Sequence, residues 1–213
     1  MQKDVSGARR SLLSTRPITA ELRREHEIIS MTAVAMSRDS RAMLRGALAA
    51  EESLRRGLEV LRDFGDACHH RKEEQVLIPA LWADETLDVD EELDRIIEDH
   101  KHGRDLLARI SDGLFEGETN EQTRVKVTAL CESYKKHIIS HIRFENTWFF
   151  PLVEKQLALQ APIIQKRMDL IEERFGGEDR HRRFTETARE LRQEALLMPV
   201  ALLSFPRKRE SRE

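Results

Sequence analysis

Two stretches of this chain repeat the same reactive residues at the same spacing. The first is CHHRKEEQVLIP, residues 68–79; the second is HIRFENTWFFP, residues 141–151. Aligned on Pro79 and Pro151, His69 matches His141 and Glu73 matches Glu145. Residues four apart share one face of a helix, so each copy aims an imidazole and a carboxylate the same way. The first copy also holds a rival pair, His70 with Glu74, and on an α-helix only one pair turns inward. The repeat selects His69 and Glu73, because His70 aligns with Ile142 and Glu74 with Asn146. His70 and Glu74 are therefore expected to lie to the side or in a supporting outer layer, and His70→Ala to spare a metal that His69→Ala removes.

Each copy follows a helix carrying one further histidine. His26 precedes His69 by 43 residues, and His100 precedes His141 by 41. Two such helical hairpins, packed face to face, bring four imidazoles and two carboxylates into one interior. A single histidine on a helix stripe is most simply a core residue with a hydrogen-bond partner. Here that explanation must hold four times, symmetrically. Burying such a set without a counter-ion costs several kcal/mol per charge, and a bound cation removes that cost. Six nitrogen and oxygen donors exceed the four that a tetrahedral zinc takes. Two glutamates can instead bridge two metals, each ended by two histidines. Imidazole with carboxylate suits iron, manganese or zinc. Each metal stays short of six protein ligands, which leaves room for oxygen, nitric oxide, peroxide or an oxo bridge.

With REHEII and EDHKHGRDLL added to the two repeated stretches, the chain between about Arg16 and Gln160 closely resembles the hemerythrin-like, or HHE cation-binding, family. The resemblance implies an all-α, antiparallel up-down four-helix bundle around a non-haem centre of two iron ions, carboxylate-bridged and open to an oxo bridge. By matching position the ligands are His26, His69, Glu73, His100, His141 and Glu145, with Glu73 and Glu145 as bridges. The oxygen-carrying members resemble a five-histidine site, with two ligand histidines one turn apart on the third helix. Here the position one turn after His100 is Arg104, and His102, two residues on, faces another side. The four-histidine, two-glutamate set is closer to the di-iron proteins of iron–sulfur cluster repair and nitric oxide stress, though no counterpart of their N-terminal cysteine-bearing domain is expected here.

Other residues have simpler readings beside the sharper ones. His137, one turn before His141, is a fifth ligand, a supporting group or a pocket-lining residue; its counterpart in the first copy is Gly65. Tyr134, the only tyrosine, hydrogen-bonds a ligand or packs between helices. Cys68 is read as a small buried side chain rather than a redox sensor. Trp148, Phe149 and Phe150 are expected to close the bundle and keep the site dry, and Arg104 to be solvated. The spacing of Glu178 and His181 is read as chance in a charged segment.

The elements that must position these groups follow from helical periodicity. Leu22, His26, Ile29 and Ala33 fall on one stripe, with Thr19 as a possible N-cap. A second pattern runs from about Ala50 to Leu81, a third from about Glu91, and a fourth from about Thr123 to Lys155. WADETLDVDE and FEGETNEQ read as connectors, and no strand alternation appears. The expected organisation is a flexible N-terminus, 1–16; a di-iron bundle, 17–160; a helical extension, 161–197, of two shorter helices around Gly176-Gly177; and a charged tail, 198–213. A net charge of -3 gives no basic field for nucleic acid, and no apolar run reaches the length of a membrane span. Two cysteines form no disulfide framework and fit the cytoplasm. The expected function is binding of oxygen or nitric oxide for sensing, storage or stress response, more a binding protein than a dedicated enzyme. The alternatives are a di-iron oxidoreductase or iron donor acting on nitric oxide or peroxide, and a module whose C-terminal helices respond to metal.

Overall fold

In the computed structural model, residues 17–115 and 120–197 are described. The flexible N-terminus and charged tail expected from the sequence lie outside them. Among the described residues the protein is all-helical, with six long helices. These are α1 (Ala20–Leu44), α2 (48–82), α3 (Asp90–Phe115), α4 (121–156), α5 (Ala161–Phe175) and α6 (Gly177–Leu197). Two of the six lie within residues 161–197, divided at Gly176 and Gly177. Both glycines have positive φ, 121° and 65°, a conformation that strains any residue with a Cβ. Asn120 caps α4, its side chain accepting from the Thr123 amide. Thr19 precedes α1 but does not cap it; its hydroxyl donates instead to Glu154.

Contacts between the first four helices pair residues in opposite sequence order. From α1 to α4, Arg23 meets Asn146 and Ser37 meets Glu132. From α2 to α3, Arg55 meets Leu114, Asp66 meets Arg104 and Glu74 meets His100. In α1 and α2 the approach is close enough that a Cβ on Gly57 would lie 2.5 Å from Met36 Cγ.

Two helices are not α-helical throughout. In α2, Val60–His70 and Glu73–Leu77 are π-helix, and α4 has a π turn at Glu145–Phe149. Both shorter π turns begin at the glutamate of the repeat and end just before its proline. Proline has no N–H and its ring crowds the carbonyl four residues back, so the preceding turn widens. The carbonyl so released in α2, that of Gln75, accepts from Arg167 of α5 at 3.1 Å.

The interior is layered. One apolar cluster holds Ile29, Phe64, Cys68, Leu107, Ile138 and their neighbours. A second holds Leu22, Leu77, Ile96, Phe149, Phe150 and theirs. Every one of the first four helices crosses from one cluster to the other, and where it crosses it carries its histidines. The extension is packed into both, through Phe175 and Phe184 on one side and Ile164 and Met168 on the other. Among the described residues no helix is long and apolar enough to cross a membrane.

Candidate metal centre

The layer between the apolar clusters gathers His26, His69, Glu73, His100, His141 and Glu145, all buried, with both glutamates at 0% exposure. Each carboxylate faces two sets of imidazoles. Glu73 Oε1 lies 3.5 Å from His69 Nε2, while its Oε2 lies 3.4 Å from His100 Nε2. Glu145 Oε2 lies 3.1 Å from His26 Nε2, while its Oε1 lies 3.0 Å from His141 Nε2 and 3.5 Å from His100 Nε2. These approaches are close, yet none has hydrogen-bond geometry. The Nε2 atoms of His26, His69, His100 and His141 and all four carboxylate oxygens are buried without a hydrogen-bond partner. Buried polar atoms are otherwise almost always bonded. Eight that converge on one layer fit a cation, and the donor chemistry is that of a first-row transition metal.

The opposite ring nitrogens are held by an outer layer that the repeat also orders. The residue before each single histidine faces the partner histidine: Glu25 Oε2 lies 2.8 Å from His69 Nδ1, and Asp99 Oδ2 lies 3.5 Å from His141 Nδ1, an ion-pair distance at which that nitrogen has no hydrogen bond. The residue after each glutamate serves the histidine of the other hairpin. Glu74 Oε1 lies 2.8 Å from His100 Nδ1, and Asn146 Oδ1 lies 3.1 Å from His26 Nδ1. Such acceptors fix ring orientation and tautomer, leaving Nε2 as the donor toward a metal.

Charge in the metal-free chain is arranged accordingly. Burial disfavours protonated imidazole, yet Glu145 and Asp99 lift His141 to about 9. Against burial, the carboxylates of Glu145, Glu73 and Glu74 hold His100 well above the usual histidine range. Glu73 and Glu25 raise His69 against the same effect. Glu145, despite complete burial, is held well below the usual carboxylate range by His141, His100 and His26. Protons on the histidines thus balance the glutamates until a cation takes their place.

The outer layer reaches the C-terminal helices. Glu25, at 0% exposure, takes the Lys72 ammonium at 2.6 Å as well as His69, and Lys72 also reaches Glu172 of α5 at 2.8 Å. His181 of α6 approaches Glu25 Oε1 at 3.3 Å. The chance reading of His181 with Glu178 stands for Glu178 alone: His181 closes on the support of a candidate ligand. Sequence reasoning missed Glu25 and Asp99 as supports, though the acidic residue before each single histidine, in EH and DH, was a signal.

The remaining candidates fall as follows. The inward turn of one pair alone does not hold, for His70 is buried beside His69, at 6% and 1% exposure. His70 stacks on His100 with ring centroids 3.9 Å apart. Ligand atoms of His70, His100 and His141 lie within 4.8 Å of one another, as do those of His26, His69, Glu73 and Glu145. His137 points away, its Nε2 lying 2.8 Å from the Asp99 carbonyl, and its ring meets exposed His102. Tyr134 is buried in the apolar cluster. Arg104 is not simply solvated: its guanidinium spans Asp66 at 2.7 Å and Glu74 at 3.1 Å. Phe150 stacks on His26, with centroids 5.0 Å apart, and Phe149 is fully buried, whereas Trp148 is half-buried at the edge. Cys68 and Cys131 are buried and unpaired; burial pushes the Cys68 thiol up to about 12.

Residues 17–153 match the family profile described as the hemerythrin HHE cation binding domain. No curated protein and no solved structure matches the chain.

Proposed function

Because the chain belongs to the hemerythrin HHE cation-binding family, we propose that residues 17–160 are an antiparallel up-down four-helix bundle built to hold two iron ions. His26 and His69 would hold one ion and His100 and His141 the other, with Glu73 and Glu145 shared between them. The observation that carries this reading is the division of each carboxylate: its two oxygens face different imidazole sets, as bridging requires. An iron pair in this layer supplies redox electrons and open coordination positions for a small diatomic molecule, oxygen or nitric oxide. The chain's own residues fix three of the imidazoles through Glu25, Glu74 and Asn146, place the Asp99 carboxylate near the fourth, and exclude water through Phe149 and Phe150. Two buried, unpaired thiols fit a reducing compartment such as the cytoplasm. The test is anaerobic purification with metal analysis, then optical spectra on adding oxygen or nitric oxide. A ligand-to-metal charge-transfer band that His69→Ala abolishes supports the reading; a colourless chain that takes up zinc alone refutes it.

One observation favours a second reading, in which the C-terminal helices respond to metal. Lys72 and His181 join α5 and α6 to Glu25, the carboxylate on His69. Hydrogen exchange in α6 that slows on metal loading supports this coupling, and exchange unchanged by metal removes it.

A further inference from the structure

The symmetry of the repeat fails beside His69. Opposite the His70 position the second copy has Ile142; opposite Asp66 it has Ile138. Both isoleucines are apolar and buried. On the first-copy side the same two positions carry an imidazole and a carboxylate, one helical turn apart, with His70 Nδ1 lying 3.3 Å from Asp66 Oδ1. This is the arrangement of the other four histidines, each with Nδ1 facing an outer acceptor. It leaves the Nε2 side of His70 for the interior.

The backbone explains how adjacent histidines both turn inward. On an α-helix successive side chains diverge by about 100°. Val60–His70 is π-helix, whose wider turn holds more residues and separates neighbours by a smaller angle. His69 thereby faces His26, with ring centroids 4.7 Å apart, while His70 lies against His100 and within 5.7 Å of His141. The ligand atoms of His70, His100 and His141 fall within 4.8 Å of one another. Three donors spread evenly at about 2.1 Å from one ion lie about 3.0–3.6 Å apart, so the set closes on one ion by drawing in about an ångström and by His70 turning out of its stack on His100.

Arg104 occupies the position one turn after His100, and its guanidinium grips Asp66 at 2.7 Å. That position therefore gives no ligand of its own but anchors the carboxylate that faces His70. We propose that His70 is a fifth imidazole ligand of the centre, completing with His100 and His141 a triad on one metal while His26 and His69 serve the other. The proposal rests on the two-metal reading given above, and it makes the two metal positions unequal in protein donors.

The test uses the full chain loaded with cobalt(II) and read by proton NMR. An imidazole ligated through Nε2 keeps its Nδ1 proton, which appears as an exchangeable, hyperfine-shifted signal. Five such signals are expected in the wild type, and His70→Gln should remove one while helix content by circular dichroism is unchanged. Four signals in a wild type carrying two cobalt ions overturn the proposal and leave the two-metal reading intact. A wild type that takes up no cobalt overturns the two-metal reading itself, and this inference with it. If His70→Gln does not fold, the wild-type count still decides.

Discussion

Metal-free and metal-loaded protein should respond to alkali in opposite directions. In the metal-free chain His141 stands at about 9 rather than 6.5: burial pulls it down, and Glu145 with Asp99 more than reverses that. A histidine whose folded pKa exceeds its unfolded value stabilises the fold fully below the unfolded pKa, and that stability is lost as pH rises through the folded pKa. The window for His141 is therefore 6.5 to about 9, and a displacement of that size is worth roughly 3 kcal/mol. Guanidinium denaturation of chelator-stripped protein, followed by circular dichroism across the window, should show midpoints that fall as pH rises. His141→Gln lacks one of the titrating groups, so its slope should be shallower, with the raised His69 and His100 carrying what is left. Metal loading runs the other way. Ligation needs neutral imidazole, so affinity should strengthen across the same range and binding near neutral pH should release protons. Calorimetric titrations in buffers of different ionisation heat read that release directly. Equal slopes for wild type and His141→Gln, or metal uptake without proton release, would refute the proton-for-metal exchange.

Three further outcomes follow. Glu25→Ala should cost about 1–3 kcal/mol by denaturation, because it takes one of the two carboxylates from buried Lys72 and leaves Glu172 as its partner; with His69 Nδ1 also freed, metal affinity should fall about 10–100-fold in competition with a chelator. Phe150→Ala should cost about 3–5 kcal/mol by removing a fully buried ring stacked on His26, and it should speed chelator access to the metal. Asp39→Asn should stabilise the chain by about 1–3 kcal/mol above pH 7, since burial, with Glu194 nearby, pushes the Asp39 carboxyl up to about 7 and leaves both its oxygens unbonded; equal stability of the two proteins at alkaline pH would count against it.

What the sequence made legible depended on periodicity. The helices around His26, His69, His100 and His141 were readable because apolar residues recur at α-helical spacing on the stripes that carry the histidines. The repeat brought out Glu73 and Glu145 because both copies share them with a histidine four residues before. His70 breaks the expected pattern because Val60–His70 is wound as π-helix, on which neighbouring side chains diverge less than on an α-helix. Arg104 was misjudged because its partners, Asp66 and Glu74, lie on another helix and nothing local links them. His181 lies 156 residues from Glu25, and only the folding back of α6 brings them together.

The outer layer also bears on whether this protein needs metal to fold. Many small metal domains are unfolded without their ion, because the ligands cannot be buried together. Here the carboxylates of Glu73 and Glu145 meet histidines that burial alone would neutralise but that the carboxylates keep protonated. Two apolar clusters on either side of the layer supply packing that owes nothing to a metal. The bundle therefore holds its donors in place with protons standing where cations would go. Loading then needs no folding of the scaffold, only the exchange of those protons. On this argument a chelator should strip the metal without collapsing the helices: circular dichroism of the stripped chain should match the loaded one near neutral pH. Loss of helix in step with loss of metal would show that the cation, rather than the apolar layers, holds the bundle together.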